Sequence, residues 1–237
     1  MTTTPTPTVS LTITLTSSPT LAFSPTPTTP TLTTTPTPIP SPSATARPCP
    51  CSIWSTTTTP GIPAQNDPYP VELGIKFRTD LPGYITGLRF YKGPTNSGPH
   101  IGNLWTSTGT LLASATFTNE TPSGWQEVSF AQPIPINPNT TYIASYHTNV
   151  GYYAVDQNYF TTSVDATPLH ALADGLDGGN GVYAYSSTST FPTSSYLASN
   201  YWVDVIFTTT LPPSPTPTFT PSPTSSPTPA ALPTPTT

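Results

Sequence analysis

The chain has 237 residues, of which 35 are Pro and only 6% are charged, whereas typical globular domains have roughly 25% charged residues and about 5% Pro. Five Lys and Arg residues stand against ten Asp and Glu residues, which gives a net charge of -5. So few cations cannot neutralise the phosphates of a nucleic acid or hold an anionic membrane surface, and we exclude nucleic acid as a partner. No run approaches the roughly 20 apolar residues of a membrane span, so none is predicted.

The charged residues divide the chain into three parts, because none precedes Arg47 and none follows Asp204. Residues 1–48 and 209–237 are rich in Pro, Thr and Ser and are predicted to be disordered linkers, since they bury too little apolar surface to offset the entropy of ordering the backbone. Their composition fits a bare spacer and also an O-glycosylated stalk. Residues 49–208 are long enough to form one folded domain with a sizeable core.

Linkers of this composition are typical of proteins outside the cell, although the N-terminus lacks the basic region and long apolar stretch of a secretory signal. We therefore expect an extracellular or cell-surface protein, and we interpret the sequence as a fragment of a larger secreted chain. In that chain the domain is expected to be a monomeric module among others.

Alternation of apolar and polar residues, which is the strand period, runs through the central domain. The predicted strands cover residues 71–78, 84–91, 100–106, 111–117, 125–130, 140–147 and 201–207. The segment Leu81-Pro82-Gly83 resembles a type II turn and predicts a hairpin between the first two strands. The segment 107–109 predicts a tight antiparallel turn, with Gly109 at positive φ.

About eight or nine short strands with regular turn signals, and no extended 3.6-residue periodicity, predict an all-β domain. The expected architecture is a single antiparallel β-sandwich, jelly-roll-like or alternatively immunoglobulin-like. A jelly roll is favoured because a long late insertion and a Pro-broken strand, at Pro133 and Pro135, suit an edge strand or one that changes sheets.

Two cysteines, Cys49 and Cys51, lie where the first linker meets the domain. A bridge between residues two apart would be strained, and two thiolates alone do not complete a zinc site. The sequence leaves open two solvent-facing thiols, a local disulfide or an intermolecular disulfide.

Motifs for catalysis are absent. There is no G-x-S-x-G segment, and the three histidines, His100, His147 and His170, form neither an H-x-H nor an H-E-x-x-H pattern. Nothing in the sequence pairs the carboxylates as a glycosidase would require. These absences argue against an enzyme.

A Gly-rich loop carries Asp174, Asp177 and Asn180 at a spacing of three. Calcium takes six to eight oxygen ligands, and such a loop supplies several. A structural calcium site at these three residues is therefore one hypothesis, against an ordinary Gly-rich turn; no other cofactor is predicted.

Aromatic residues are the strongest indication of binding, since a ring offers apolar area beside a polar handle and suits a sugar. Several lie in loops or on the strand face opposite the most apolar row, Tyr152, Tyr153 and Trp202 among them. The predicted ligand-binding residues are Tyr91, Lys92, Asn96, His100, Trp105 and Trp125. The alternative is that these aromatics are buried in the sandwich.

Several motifs occur in an order that resembles a bacterial domain-of-unknown-function family, DUF4082. They are ITGLRFYKG, HIGNLWTSTGTLLASATFTNETPSGWQEVSF, TTYIASYH and NGVYAY…FP…NYWVDVIF. The resemblance covers nearly all of residues 49–208, with Pro99 as one small departure. It implies an extracellular module, often repeated or beside other surface domains in large bacterial proteins. It brings no activity, substrate or site residue.

Three functions follow as hypotheses. A non-catalytic module that binds a glycan or another surface ligand would show an exposed, coplanar pair of aromatic rings flanked by amides. A structural spacer or adhesion domain would bury its aromatics and have no concave site. A hydrolase, or an accessory domain of one, would have a cleft with paired carboxylates or a His–carboxylate pair. The first is preferred.

Overall fold

The computed structural model describes residues 48–211, so the predicted linkers lie outside the described residues except at their inner ends. The strands are β1 Val71–Thr79, β2 Gly83–Lys92, β3 His100–Thr106, β4 Leu111–Thr116, β5 Gly124–Ile136, β6 Tyr142–Thr148, β7 Val164–Ala166, β8 Leu169–Ala171, β9 Val182–Tyr185, β10 Ser194–Ser195 and β11 Val203–Thr208. Within this range the only helical element is a 3₁₀ turn, Tyr159–Thr161. No helix in the described part is long and apolar enough to cross a membrane.

Two antiparallel sheets form a sandwich, which confirms the predicted fold class. The larger sheet has the order β10–β9–β1–β6–β3–β4, with β8 paired to β1 and β7 to β8, and the smaller sheet has the order β11–β2–β5. The principal pairs are nested along the chain: β1 pairs with β6 and β3 with β4 in the larger sheet, while β2 pairs with β5 in the smaller sheet. Nested pairs that alternate between facing sheets are the jelly-roll arrangement.

The core lies between the sheets and takes its residues from one face of strands in both of them. Alternate residues of β1 and β11 are buried in one continuous cluster: Val71, Leu73, Ile75, Phe77, Val203, Val205 and Phe207. In β2 the pairing register shifts between Ile85 and Gly87. This bulge brings Ile85 into the same core as Leu88 and Phe90, although strict alternation predicts it on the opposite face.

The predicted hairpin between the first two strands is wrong. β1 and β2 lie in different sheets, and Gly83 does not have the positive φ of a type II turn. A strand shows the same alternation whether the next strand pairs with it in one sheet or packs against it from the facing sheet. The sequence pattern therefore does not distinguish these two arrangements. The tight turn between β3 and β4 is confirmed, with Gly109 at φ 94°.

The outer face of the larger sheet is also covered. Residues 186–191, which we call the covering segment, contact this face through Ser189 and Thr190, which donate hydrogen bonds to Glu72 Oε2 at 3.0 and 3.3 Å. Glu72 is fully buried, and Asn103 and Ser145 donate to its other oxygen. Burial raises the pKa of Glu72, and these hydrogen bonds offset part of that shift.

The segment before β1 is held to the smaller sheet by a buried ion pair. Arg89 Nη2 lies 2.7 Å from Asp204 Oδ2, and both side chains are at most 2% exposed. Asp204 also accepts hydrogen bonds from the backbone N–H groups of Ile53 and Trp54, at 2.9 and 3.1 Å. Arg89 Nη2 donates in turn to the Trp54 carbonyl oxygen, so the pair fixes the N-terminal segment against β2 and β11.

The N-terminal segment also contains the two cysteines, which form a disulfide with each other. The sequence left free thiols, a local disulfide and an intermolecular disulfide open, and the structure contains the local disulfide. Cys51 exchanges two backbone hydrogen bonds of 2.9 Å with Phe207 of β11.

His170 of β8 lies between two carboxylates. Its Nδ1 is 2.7 Å from Asp165 Oδ1, and its Nε2 is 2.8 Å from Asp80 Oδ2, an ion-pair contact outside good hydrogen-bond geometry. Burial lowers the pKa of His170, but its contacts with Asp165 and Asp80 outweigh burial, so the net pKa is raised. The imidazolium links β7 and β8 to the end of β1.

We expect Asp204→Asn to lower the free energy of unfolding by about 3–5 kcal/mol, because the substitution leaves the Arg89 guanidinium buried without a counter-charge. Chemical denaturation measures the change. The matched control is Asp177→Asn, which breaks a half-exposed ion pair with Arg78 at 3.3 Å and should cost at most about 1 kcal/mol. Equal losses in the two variants would contradict the role given to Asp204.

The raised pKa of His170 predicts a pH-dependent contribution to stability. The contribution is fully present below the unfolded pKa of 6.5 and is lost as the pH rises through the folded pKa. The difference in Tm between the wild type and His170→Gln should therefore be larger at about pH 5.5 than at about pH 8.5. A difference that grows with pH would show that the imidazolium does not form the link.

Candidate functional site

Trp105, one of the predicted binding aromatics, lies on the outer face of the larger sheet, as alternation indicates, but it is buried. Its ring packs at 64° against Phe191 of the covering segment, with centroids 5.6 Å apart. Its Nε1 donates to Ser145 Oγ at 2.8 Å. Trp105 therefore holds the covering segment in place and does not present a binding face.

Trp125 and Tyr91 belong to an aromatic cluster beside the Arg89–Asp204 pair. The Arg89 guanidinium lies 4.3 Å from the centroid of the Trp125 ring, and Trp125 Nε1 donates to the Thr58 carbonyl at 2.9 Å. Tyr91 packs edge-on against both Trp125 and Trp202. Both predicted residues are half-buried, and their rings pack against one another more than they face solvent.

Lys92, Asn96 and His100 form an internal polar network. Lys92 Nζ lies 2.8 Å from Glu120 Oε2, and His100 Nδ1 lies 2.8 Å from the other oxygen of the same carboxylate. His100 Nε2 is 2.9 Å from Asn96 Oδ1, and both side chains are fully buried. Burial lowers the pKa of His100, and the contact with Glu120 opposes that shift. The structure thus brings these three residues together, but beneath the surface.

The three residues of the calcium hypothesis are near one another but already engaged. Asn180 Oδ1 accepts hydrogen bonds from the backbone N–H groups of Lys76 and Gly181, at 2.8 and 2.7 Å. Asp174 Oδ1 accepts from the Asn180 N–H at 2.8 Å, and Asp177 pairs with Arg78.

Positive charge is also present at this loop, since Lys76 Nζ donates to the Asp177 carbonyl. Among the described residues no group of three His, Cys, Asp or Glu side chains could hold a metal ion. The side-chain oxygens of Asn180 and Asp177 bind the loop to β1, and the calcium site stays a prediction.

A different group of aromatics surrounds a cleft of about 310 Å³, which we call the tyrosine cleft. It opens where four segments distant in sequence meet: the loop before β1, the loop after β6, strand β9 and the loop before β11. Its lining residues are Gln65, Asp67, Tyr153, Val155, Gln157, Tyr183, Tyr185, Tyr196, Ser199 and Tyr201.

Backbone contacts position Asp67 beside Tyr153. The Gln65 N–H donates to the Tyr153 carbonyl, and the Tyr152 N–H donates to the Asp67 carbonyl, both at 2.8 Å. Gly151 makes this approach possible, because it has a φ of 68° and a Cβ there would lie 2.0 Å from the Asp67 carbonyl oxygen. On the other side of the cleft, Tyr183 and Tyr185 of β9 are two residues apart and share one strand face.

The rings meet at steep angles. Tyr153 and Tyr201 are inclined by 82° with centroids 5.6 Å apart, and Tyr183 is inclined by 72° to Tyr201 and by 76° to Tyr185. The tyrosines therefore form the walls of a box, in contrast to the flat aromatic pair that a binding surface was expected to show.

Asp67 is the only charged side chain among the described residues that line the cleft. Its Oδ2 accepts hydrogen bonds from the hydroxyl groups of Tyr153, at 2.9 Å, and of Tyr185. Burial and the neighbouring carboxylate raise the pKa of both phenols, that of Tyr185 to about 12. Burial likewise raises the pKa of Tyr201. The phenols are therefore neutral donors across the physiological range.

Exposure distinguishes a floor from a rim. Tyr153 and Tyr201 are buried, whereas Tyr185 and Tyr196 are 55% and 53% exposed. Tyr69, at 64% exposure, meets Tyr185 edge-on with centroids 6.5 Å apart and extends the rim. Core packing does not account for three neighbouring exposed rings, and such surface groups are typical of interaction sites.

Sequence reasoning identified one lining residue, Tyr153, as a candidate aromatic and missed the others. The signal was weak, because the lining residues come from loops without a motif, and β9 is only four residues long. The enrichment in Tyr of residues 183–201, where four of these tyrosines occur, was the feature that could have indicated the site.

We expect Asp67→Asn to lower the pKa of Tyr185 from about 12 toward the ordinary value near 10, because it removes the negative charge next to the phenol. Ultraviolet titration of tyrosinate, compared with the same titration in Tyr185→Phe, isolates this group. An unchanged high-pH titration in Asp67→Asn would contradict the contact between Asp67 and Tyr185.

A family model with the description "Domain of unknown function (DUF4082)" matches residues 57–203. The matched range includes every residue that lines the tyrosine cleft and strands β1 to β10, but of β11 only Val203. No curated protein matches the chain. The match covers more than half of the sequence, and the chain belongs to the DUF4082 family, as the order of its motifs indicated.

Proposed function

We propose that the domain is a non-catalytic binding module that holds a glycan in the tyrosine cleft, as part of a larger extracellular or cell-surface protein. The supporting observation is the concave site itself: five tyrosines, two glutamines and one carboxylate converge from four separate segments. Binding sites of this kind combine aromatic walls with a few polar groups that fix orientation.

Each component of the cleft suits a sugar. The exposed rings of Tyr185 and Tyr196 offer apolar faces on which the C–H face of a pyranose packs. Gln65 and Gln157 each carry a donor and an acceptor for sugar hydroxyls. Asp67 Oδ1 receives only one long hydrogen bond, of 3.4 Å from the Tyr69 N–H, and so has acceptor capacity for a ligand.

The arrangement of acids and histidines supports a role without catalysis. Glycoside hydrolysis uses two carboxylates across the bond to be broken, and among the described lining residues the cleft has one. The His–carboxylate pair of the enzyme hypothesis does occur, twice, but His100 is fully buried against Glu120. In the other case both nitrogens of His170 face carboxylates, so neither is placed to accept a substrate proton.

A structural spacer is the second candidate. The burial of Trp105 beneath the covering segment, together with the packing of Trp125 under Arg89, matches the expectation for a domain whose aromatics stabilise the sandwich. Binding distinguishes the two candidates, because a spacer has no ligand.

The test is a panel of glycans and polysaccharides against the full chain. We expect at least one saturable ligand, and we expect Tyr185→Ala and Tyr196→Ala each to weaken its binding by about fivefold, since a lost aromatic contact is worth about 1 kcal/mol. The control is Leu111→Ala. Leu111 is an exposed apolar residue on β4, the edge strand of the larger sheet that lies farther from β9.

If no glycan of the panel binds, the structural spacer is favoured. A ligand whose affinity is the same in both tyrosine variants and in the control would place binding elsewhere on the domain.

A further inference from the structure

Resting on the proposed function, we infer that the sugar residue entering the tyrosine cleft carries a free, protonated amine. The site would select an amine-bearing sugar in preference to its N-acetylated counterpart. It would reject sugars with carboxylate, sulfate or phosphate groups. Three features support this selectivity: the charge of the cleft, the angles between its rings, and the pairing of the described cations elsewhere in the domain.

The charge of the cleft is negative and only partly compensated. Asp67 contributes the one charged side chain among the described lining residues, and neutral phenols from Tyr153 and Tyr185 donate to only one of its two oxygens. A carboxylate has about four acceptor sites. Its remaining capacity on Oδ1 is met best by a charged donor, because charge-assisted hydrogen bonds are roughly twice as strong as neutral ones.

The ring angles suit a compact cation better than a flat sugar face. A π-system is negative over its face, and an ammonium group is attracted to that face when it lies within about 6 Å of the ring centroid. Rings inclined by 72° to 82° with centroids 5.6 to 6.4 Å apart form adjacent walls, so one cation can face more than one ring. The flatter contact with the sugar itself is left to the exposed rim at Tyr185 and Tyr196.

The four cations that the structure describes are engaged away from the cleft. Of five Lys and Arg residues, Arg47 lies outside the described part. Arg89 pairs with Asp204 and Lys92 with Glu120, while Lys76 and Arg78 both contact Asp177. A uronate or sulfated sugar would therefore bring a second negative charge beside Asp67 with no described cation to pair it, at a large desolvation cost.

The experiment compares three oligosaccharides of equal length on the full chain by calorimetry at mildly acidic pH. They are a β-1,4-linked glucosamine oligomer, its fully N-acetylated form and an oligouronate. We expect the amine oligomer to bind about tenfold more tightly than the N-acetylated form, the value of one cation–π contact with partial desolvation. The oligouronate should not bind measurably.

The variant Asp67→Asn keeps the shape of the side chain and removes its charge. We expect it to weaken the binding of the amine oligomer more than that of the N-acetylated oligomer, so that the preference for the amine falls. Thermal unfolding followed by circular dichroism shows independently whether the variant is folded. Low-salt and high-salt measurements on the wild type provide a second readout, because only a charge-based preference shrinks with salt.

The outcomes separate this inference from the proposed function. Equal affinities for the amine and N-acetylated oligomers, or tighter binding of the oligouronate, would overturn the inference and leave glycan binding intact. A preference for the amine that is undiminished in folded Asp67→Asn would overturn the role of the carboxylate. If none of the three oligomers binds and no glycan of the wider panel binds, both the inference and the proposed function are contradicted.

Discussion

The buried ion pair between Arg89 and Asp204 is the interaction on which the arrangement of this domain depends. It joins β2, the central strand of the smaller sheet, to its neighbour β11. Through Asp204 it also holds the backbone of Ile53 and Trp54. Two charges are buried favourably only when the remaining lone pairs and protons are satisfied, and the N-terminal segment supplies those partners. A domain with so few charged residues thus uses one pair to fix its N-terminal segment and the aromatic cluster around Trp125.

The small number of charged residues also determines how charge is distributed over the rest of the domain. The described cations each contact an acidic partner or its backbone, while Asp67 is left among tyrosines. The tyrosine cleft consequently contains one carboxylate, which neutral phenols surround. Under the proposed function, stability and recognition are separated: the ion pairs hold strands and loops, and the cleft would bind its ligand through rings, amides and one carboxylate.

Much of the fold could be predicted from the sequence, because alternation depends on local residues. The positions of β1, β3, β4 and β11 and the turn at Gly109 follow from strand periodicity and turn chemistry. The partners of the strands did not follow, since β1 presents the same pattern whether β2 lies beside it or opposite it. The bulge at Ile85 likewise requires the register with β5, which no local pattern contains.

The site was harder to predict, for a physical reason. Trp105 was placed on the correct face of its strand, but its burial depends on the covering segment, more than eighty residues later in the chain. The cleft gathers residues from Gln65 to Tyr201, and only the tertiary fold brings them together.

Chemical-shift mapping on the isotopically labelled full chain tests the central claim most directly. On titration with a glycan that binds, the backbone amides that shift should be those of residues 65–69, 153–157, 183–187 and 196–201, the segments that surround the tyrosine cleft. Shifts centred instead on Trp54, Trp125 and the N-terminal segment, with the cleft residues unperturbed, would contradict the account.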